Sequence, residues 1–267
     1  MDVNVVTQAL DGGYVIGNSA AINTLNATYI GWSWKAGGNA VTNTAGSVTS
    51  QVSAGTLQGM SVVTYTSSTS AITIGHGLGV APAMVILKPR NSGGASNAIV
   101  WHRKLSVATP YLTLDTTNAQ VSLSNAFNLP PSASVINYGG WSGYSTYNMV
   151  AYCFAEVPGF SKIDSYVGNG AASGPFIYCG FKPKYIMIKC ISAAGNWVVW
   201  DSARNTYNVV GEEIYPNLAQ AIATTTDLDI VSNGFKIRNT TASYNTSSGT
   251  YVYMAFADTP FKYSNAR

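Results

Sequence analysis

The sequence predicts an all-β protein built from two tandem β-sandwich (jelly-roll-like) units related by an internal duplication. Three observations lead to this prediction. Short segments rich in Val, Ile, Tyr, Thr and Trp recur along the 267 residues and are bounded by Gly, Asn, Ser and Pro, as strands are. Several motifs occur twice, and the copies lie about a hundred residues apart. Only 9% of the residues are charged while 46% are hydrophobic, a balance that favours a folded chain over a disordered one.

One motif occurs near the middle of the chain and again near its end. The segment "NMVAYCFAEVP" at 148–158 matches "TYVYMAFADTP" at 250–260 in residue type at almost every position. The offset is 102 residues, from Phe154 to Phe256. A third version, "TYIGWSWKAG" at 28–37, aligns with the same motif.

Two further motif pairs occur in the same order at nearly the same spacing. The segment "LGVAPAMVILK" at 78–88 aligns with "CGFKPKYIMIK" at 179–189, an offset of 101. Likewise "AIVWHRK" at 98–104 aligns with "WVVWDSA" at 197–203, an offset of 99. A repeat of this length is too long for a solenoid and indicates tandem small domains.

We place the two β-sandwich units at 49–161 and 162–267. The predicted strands of the first unit are "SVVTYT", "AITIG", "AMVILK", "AIVWHR", "YLTLD" and "NMVAYCFA". Those of the second are "FIYCG", "YIMIKCI", "WVVWD", "FKIRN" and "YVYMAFA". The runs "AMVIL" and "YVYMAF" are continuously apolar, which predicts strands covered on both faces, whereas "YLTLD" alternates.

The glycines and prolines shared by the repeats predict backbone features. Gly79 and Gly180 are expected to adopt positive φ, which glycine does at little cost. Pro82 and Pro183 are expected to open strands, where a missing N–H is tolerated. The one helix predicted covers 212–223, "EEIYPNLAQAIA", and an early proline limits it to two short turns.

The chain begins with what resembles the tail of a third unit, at 1–48. Residues 11–35 align with 232–257, yet the strands with which such a tail would pair are missing. A lone hairpin is marginally stable in water, and an unpaired strand edge is a template for pairing. We expect this segment to complete a sheet of another subunit or of the next domain. The residues predicted to make that pairing are Tyr14, Val15, Ile16, Tyr29, Ile30, Trp32 and Trp34.

The charge pattern and the start of the chain restrict the partners and the location. The formal net charge of +3 is small and scattered, whereas nucleic-acid-binding proteins carry clustered Lys and Arg. The opening "MDVNVV" lacks the features of a signal peptide, and the apolar runs are much shorter than a membrane span. We expect a soluble protein with no nucleic-acid partner and no membrane insertion.

The three cysteines, Cys153, Cys179 and Cys190, are predicted to be buried free thiols. Their positions in the other repeat hold ordinary packing or turn residues, and an odd count without ligand spacing does not indicate a disulfide framework or a zinc site. We therefore expect neither a metal nor a cofactor. The pair Asp227 and Asp229 remains open as a calcium site, although the EF-hand pattern is missing.

Several side chains are weighed as catalytic groups and not favoured. His76 or His102 with a serine and Asp115 would form a hydrolase triad, but the chain has no GxSxG motif. The carboxylates that could cleave a glycoside are Glu212, Glu213, Asp227, Asp229 and Asp164, and the sequence does not fix their separation. The pair Glu212 and Glu213 is read more simply as a helix start. We assign no catalytic residue and expect that the protein is not an enzyme.

Aromatic residues are the one surplus in the composition, with 6 Trp, 17 Tyr and 8 Phe. In "NYGGWSGYSTYN", Trp141, Tyr144 and Tyr147 lie among Gly and Ser without strand periodicity, which predicts a loop. Aromatic rings on a polar loop suit stacking on sugars or anchoring a protein partner. The alternative is that the rings pack under the loop or against a neighbouring subunit. Trp197 and Trp200 lie in a predicted strand and are expected in the core.

The repeated motifs as a set resemble a known family. The segments "YVYMAFADTPFKYSNAR", "CFAEVPGFSK", "SYVGNGAASGPF", "GFKPKYIMIK" and "WDSARN" are similar to the carboxy-terminal repeats of uncharacterised virion and tail-fibre-like proteins of marine and freshwater tailed bacteriophages. The resemblance covers nearly the whole chain. It carries no catalytic residues over to this sequence.

This resemblance implies a non-enzymatic tail-fibre component that contacts the host cell surface. Its location would be the virion, assembled in the host cytoplasm, and its partners a homotrimer, other virion proteins and a host surface polysaccharide. A capsid decoration protein is the alternative, and a polysaccharide-depolymerising tailspike is a third, less favoured one.

Overall fold

The computed structural model describes residues 6–10, 13–91, 96–106, 109–122, 125–144 and 146–257. The chain divides into an N-terminal unit, 1–34, and a second unit, 35–267. Apart from one 3-10 helix and one four-residue α-helix, all regular elements of the described residues are β-strands paired antiparallel in sheets. The predicted all-β class is confirmed.

The N-terminal unit contains a two-stranded antiparallel hairpin. Strand β1 (Val6–Leu10) pairs with β2 (Gly13–Ile16). The "TYIGWSWK" segment that follows forms no strand. Residues 35–48, which the sequence assigned to the N-terminal segment, belong to the second unit instead, where 41–43 form a strand of the first sandwich.

The first β-sandwich has one large sheet and one small sheet. Its strands are β3 (Val41–Asn43), β4 (Ser50–Gly55), β5 (Met60–Thr66), β6 (Ile72–Gly75), β7 (Met84–Pro89), β8 (Ile99–His102), β9 (Pro110–Thr113), β10 (Val121–Ser122), β11 (Val135–Tyr138) and β12 (Asn148–Phe154). Eight of them form a sheet in the order β10-β9-β8-β7-β12-β5-β4-β3, and β6 pairs with β11 in the other. Between the sheets lies an apolar core that includes Val63, Leu87 and Met149 from the large sheet and Ile74 and Ile136 from the small one.

The second β-sandwich has two sheets of four strands. Its elements are β13 (Ser161–Val167), β14 (Phe176–Tyr178), β15 (Pro183–Cys190), β16 (Trp197–Asp201), β17 (Val210–Glu213), β18 (Ala223–Val231), β19 (Gly234–Ile237), α1 (Ala242–Asn245) and β20 (Thr250–Ala257). The sheet orders are β13-β20-β15-β16 and β14-β19-β18-β17. Their core includes Ile186, Trp200 and Tyr253 from one sheet and Leu228 and Phe235 from the other.

The two sandwiches share the order of their central strands. The run β5-β12-β7-β8 of the first corresponds to β13-β20-β15-β16 of the second, and the pair β6-β11 corresponds to β14-β19. The glycines that precede the third strand of each run, Gly79 and Gly180, have φ of 74° and 81°, as predicted. Pro183 begins β15, also as predicted. That the two sandwiches arose by duplication stays a prediction.

The sandwiches pack against each other through the strands that close the repeats. In β20 both faces are buried, because Tyr251 and Tyr253 face their own core while Phe256 contacts the ring of Phe154 at the end of β12, with centroids 6.1 Å apart. The indole N–H of Trp197 donates to the Thr113 carbonyl at 2.8 Å across the same interface. This double burial accounts for the continuous apolar run "YVYMAF".

The predicted helix at 212–223 is wrong. Glu212 and Glu213 belong to β17, the residues after Ile214 form a turn and a loop, and β18 begins at Ala223. Pairing with β18 gives the backbone of 210–213 its hydrogen-bond partners, and this tertiary contact overrides the local helix signal.

Candidate functional site

The predicted loop with Trp141, Tyr144 and Tyr147 packs its aromatic rings mainly against the core of the first sandwich. Tyr144, in a 3-10 helix at Ser142–Tyr144, is only 1% exposed, and its hydroxyl donates to the Asn97 carbonyl. The ring of Trp141 lies 4.7 Å from that of Tyr144, and both Trp141 and Tyr147 contact the first core while remaining half-buried. Tyr144 therefore cannot stack on a sugar, and the alternative of packing under the loop holds for it.

The N-terminal unit exposes five of the seven side chains predicted to pair with another chain. Tyr14 is 47% exposed, and Val15, Ile16, Tyr29 and Ile30 are exposed to a similar degree. Trp32 and Trp34, by contrast, are half-buried. Tyr14, Val15 and Ile16 lie side by side on the hairpin, and neighbouring exposed apolar side chains are typical of a surface that contacts another molecule.

Both ring nitrogens of each histidine contact backbone groups. His76 contacts the Ser132 carbonyl through Nε2 at 3.1 Å and accepts the Leu78 N–H at Nδ1. His102 contacts the Tyr253 carbonyl through Nε2 at 3.4 Å and accepts the Lys104 N–H at Nδ1. Burial lowers the pKa of His76 and lowers that of His102 to about 3. Both imidazoles are neutral at pH 7 with each ring nitrogen occupied.

The carboxylate proposed as a triad partner lies in a different set of contacts. Asp115 accepts the Ala98 N–H at 3.1 Å and contacts the Lys88 ammonium at 3.4 Å. The structure therefore gives Asp115 and the two histidines different hydrogen-bond partners, and it does not bring them together as a relay.

Asp227 is the centre of a buried polar cluster in the second sandwich. Its Oδ2 accepts the Trp200 indole N–H at 3.1 Å, and its Oδ1 accepts the Tyr244 hydroxyl at 2.6 Å and the Asn239 amide at 2.7 Å. Glu213 is buried beside it and accepts the Tyr215 hydroxyl. Burial, reinforced by the neighbouring Asp227 carboxylate and opposed by the Tyr215 hydrogen bond, raises the pKa of Glu213 to about 7. The two carboxylates of this cluster are buried, while Asn239 and Tyr215 at its edge are half-buried.

The other candidate carboxylates lie apart from this cluster. Asp229 contacts the Arg238 guanidinium at 3.5 Å, so the two aspartates of the proposed calcium site have separate protein partners. Within the described ranges no three His, Cys, Asp or Glu side chains are grouped as metal ligands. All three cysteines are buried free thiols, as predicted. In the same ranges, no helix has the length and apolarity of a membrane span.

A network of charged side chains joins the two sandwiches. Asp164 of β13 contacts Lys104 at 3.0 Å and Lys162 at 3.3 Å, while Glu156 contacts Arg103 at 2.7 Å and Lys162 at 3.3 Å. Although partial burial raises the pKa of Asp164, hydrogen bonds from Lys104, the Ser165 N–H and Lys162 together lower it. The network therefore links the end of β8 to β13.

A cleft of about 350 Å³ opens where β8 ends, next to this network. Its apolar lining comes mainly from aromatic, leucine and proline side chains, and its polar lining residues are His102, Arg103, Thr109 and Asn128. The apolar residues are Trp101, Leu105, Pro110, Phe127, Leu129 and Pro130. Ligand sites in proteins are typically concave and apolar with a few polar groups, and start at roughly 300 Å³. The cleft has this character.

Residues 2–260 match DUF7483, a family described as a domain of unknown function. The chain belongs to the DUF7483 family. The match runs through the N-terminal segment and both sandwiches, so all three predicted parts fall within one family unit. No curated protein and no solved structure matches the chain.

Sequence reasoning missed the cleft of this DUF7483 chain. Arg103 belongs to the repeated segment "AIVWHRK", but Asn128 lies in a segment without a recognised motif, 27 positions after Trp101, and only the fold brings the two together. A signal was present nonetheless: Trp101 aligns with Trp200, while Asn128 stands at the position of Asp227, at the same offset of 99.

Proposed function

We propose that this DUF7483 chain is a non-enzymatic structural protein of a bacteriophage virion, a tail-fibre component that contacts the host cell surface. One observation carries the non-enzymatic part. The groups best suited to acid–base chemistry, His76, His102, Glu213 and Asp227, are all buried and hydrogen-bonded inside the sandwiches. General acid–base catalysis needs a group within reach of the substrate proton. His102 lines the cleft at the end of β8, but it is 2% exposed and both of its ring nitrogens contact backbone groups.

The virion part of the proposal rests on the resemblance of the repeated motifs to phage tail-fibre-like proteins. The fold suits that role physically. The sheet that carries β20 is covered on both faces, and the interface between the sandwiches combines aromatic packing, such as Phe154 on Phe256, with backbone hydrogen bonds and ion pairs. Such an interface resists separation of the two units, as a load-carrying fibre requires.

The N-terminal hairpin supports the proposed homo-oligomer, a trimer by the same resemblance, and contacts with other virion proteins. Its exposed apolar side chains, Tyr14, Val15 and Ile16, gain stability when they are buried between subunits. Sedimentation of the full-length chain and of the variant Val15→Lys/Ile16→Lys tests this. A trimer that becomes a monomer in the variant supports the proposal. A monomeric wild-type chain, or a variant that still assembles, contradicts it.

Localisation in intact virions tests the proposal as a whole. Cryo-electron microscopy of virions of the phage that carries the gene, with an antibody to this chain, would reveal its place and copy number. A few copies on the tail support the fibre proposal. Density over the head lattice in hundreds of copies would instead identify a decoration protein, and absence from the virion would overturn the proposal entirely.

Incubation with the host polysaccharide tests the non-enzymatic part. We expect that the purified chain binds host envelopes and leaves the polysaccharide at its original length. Shortened polysaccharide would identify a depolymerase, and loss of that activity in Glu212→Gln would then assign the half-buried carboxylate of β17. A chain that binds no host envelope contradicts the fibre proposal.

A further inference from the structure

The first sandwich covers the free side of its small sheet with its own chain. Strand β6 pairs with β11 on one side, and the segment before β4 runs along the other. The Thr73 N–H donates to the Ser47 hydroxyl at 2.9 Å, and the Thr73 carbonyl accepts the Val48 N–H at 3.3 Å. The Ser50 hydroxyl donates to the Gly75 carbonyl at 2.8 Å. The backbone groups on this side of β6 therefore have partners.

The corresponding strand of the second sandwich, β14, has no such cover. The Pro175 carbonyl and the Cys179 N–H make hydrogen bonds on the β19 side, so alternation turns the backbone groups of Phe176 and Tyr178 to the free side. Among the described residues, these groups have no hydrogen-bond partner. The side chains of Phe176 and Tyr178 are 49% and 64% exposed. Strand β14 is thus an open sheet edge with two exposed aromatic rings.

The difference arises from the chain segment that precedes each sandwich. The first has β3, the segment that covers β6, and β4 before β5, whereas only residues 155–160 lie between β12 and β13. The missing segment leaves two edges of the second sandwich, β13 and β14, without a neighbour. At β13 the Ile163 N–H donates to the Glu156 carboxylate at 2.8 Å and the Ser165 N–H to the Asp164 carboxylate at 2.9 Å. Charged side chains on an edge keep other strands away, and β14, which consists of Phe, Ile and Tyr, has none.

Strand β2 of the N-terminal unit has the properties of a strand that such an edge accepts. It pairs with β1 on one side only, and Tyr14, Val15 and Ile16 are 47%, 40% and 41% exposed. Side chains alternate between the two faces of a strand, so Tyr14 and Ile16 lie on one face of β2 and Val15 on the other. Apolar side chains on both faces are typical of a strand that is covered on both faces. We therefore expect β2 to pair with a further strand.

We propose that the free edge of β14 receives β2 of a second copy of this chain. The side chains of Tyr14 and Ile16 then lie beside the two aromatic rings of β14, and such cross-strand pairs stabilise a sheet. Val15, on the opposite face, lies next to Ile177 at the border of the core. Backbone hydrogen bonds between the two strands satisfy the free groups of both edges, as in other cases of strand addition.

The contact between β2 and β14 joins two different surfaces of the chain, so the assembly is head-to-tail. Contacts of this kind close into a ring when the rotation between copies allows it, and a ring of three copies is a trimer. Each copy then gives one strand and receives one. This inference rests on the homo-oligomer of the proposed function and names the two surfaces that hold it together.

Sedimentation velocity of the full-length chain tests the receiving edge. Phe176→Lys/Tyr178→Lys places two charges beside the edge, and the fold is retained because both side chains are exposed. We expect this variant to sediment as a monomer at a concentration at which the wild-type chain is assembled. Tyr207→Lys/Leu218→Lys is the matched control, because it adds the same charges at exposed positions on either side of β17. The control should assemble like the wild type.

Mixing two variants identifies the contact itself. The Val15→Lys/Ile16→Lys chain keeps its β14 edge, and the Phe176→Lys/Tyr178→Lys chain keeps its β2 strand. Each variant alone should be monomeric. An equimolar mixture should form a one-to-one dimer, because one intact β2 and one intact β14 remain. A mixture that forms no dimer, or a Phe176→Lys/Tyr178→Lys chain that still assembles, would overturn the inference.

Failure of this inference can be told apart from failure of the proposed homo-oligomer. If the wild-type chain assembles and the hairpin variant is monomeric but the β14 variant assembles, the hairpin contacts another surface. The β14 assignment then falls, and the homo-oligomer stands. If the wild-type chain is monomeric, both fall.

Discussion

The indole N–H of Trp200 donates to Oδ2 of Asp227 at 3.1 Å, while the Tyr244 hydroxyl donates to Oδ1 of the same carboxylate at 2.6 Å. Aspartate is rarely buried unless its oxygens are satisfied. Asn239 completes the set from the loop before α1. One charged side chain therefore ties together β16, β18 and the segment around α1, and the second sandwich depends on each donor.

Replacing Tyr244 by Phe is expected to destabilise the chain by about 1–3 kcal/mol, because a buried acceptor loses its donor while the ring stays in place. Unfolding in urea, followed by tryptophan fluorescence, measures the change. Tyr178→Phe is the matched control, since Tyr178 is 64% exposed and its hydroxyl makes no core contact; we expect no measurable effect. Equal stability of the two variants would show that Tyr244 does not support Asp227.

The stability of the chain is expected to fall as the pH rises from about 4.5 to about 7. Burial raises the pKa of Glu213 to about 7, above its ordinary value of 4.5, so the folded chain holds a proton that the unfolded chain releases. The contribution of Glu213 is therefore fully present below about pH 4.5 and is lost as the pH passes 7. Its size is on the order of 1–3 kcal/mol.

Urea unfolding at pH 5 and pH 8 measures this dependence. In Glu213→Gln the amide mimics the protonated acid at every pH, so the Glu213 part of the slope should disappear. Glu212→Gln, which changes the adjacent half-buried side chain of the same strand, should keep the slope of the wild type. A slope that survives in Glu213→Gln would assign the proton to another group.

The strands were predictable because their signal is local. The runs of β7, β15 and β20 combine β-branched and aromatic residues with flanking turns, and each run has a matching segment about a hundred residues away. Strands such as β4 and β18 were missed because "SQVSAG" and "ATTTDLDIV" are polar or alternate weakly, and only pairing with neighbours makes them strands. The helix predicted at 212–223 is wrong for the same reason, because pairing with β18 makes a strand of residues whose local sequence indicates a helix.

The candidate site was less predictable, because burial of a side chain is decided by distant residues. The spacing of Trp141, Tyr144 and Tyr147 correctly indicated a loop, but only the fold reveals that Asn97, 47 positions away, accepts the Tyr144 hydroxyl. The cleft forms where a strand of the second sandwich has no counterpart in the first. A missing element leaves no motif to find.

The ion pair between Lys104 and Asp164 is expected to couple the two sandwiches by about 0.5–1 kcal/mol. Both groups are partly exposed, which limits the gain, and the network around them reinforces it. A double-mutant cycle of Lys104→Gln and Asp164→Asn, measured by urea unfolding at low salt, gives the coupling. The same cycle on Lys88 and Asp115, an isolated pair 3.4 Å apart within the first sandwich, should give a smaller value. Zero coupling for Lys104 and Asp164 would mean that packing alone joins the units.

The three thiols are expected to resist modification in the folded chain. Only the thiolate reacts, and burial raises the pKa of Cys153 and of Cys179 to about 12, while Cys190 is 1% exposed. At pH 8, Ellman's reagent should therefore react with none of them in the native chain and with three after unfolding in guanidinium. Asn118→Cys places a thiol on the surface and should react at once, which confirms that the reagent is active. Rapid reaction of any native thiol would show that its sandwich opens locally, because a buried cysteine reaches the reagent only when the strands around it separate.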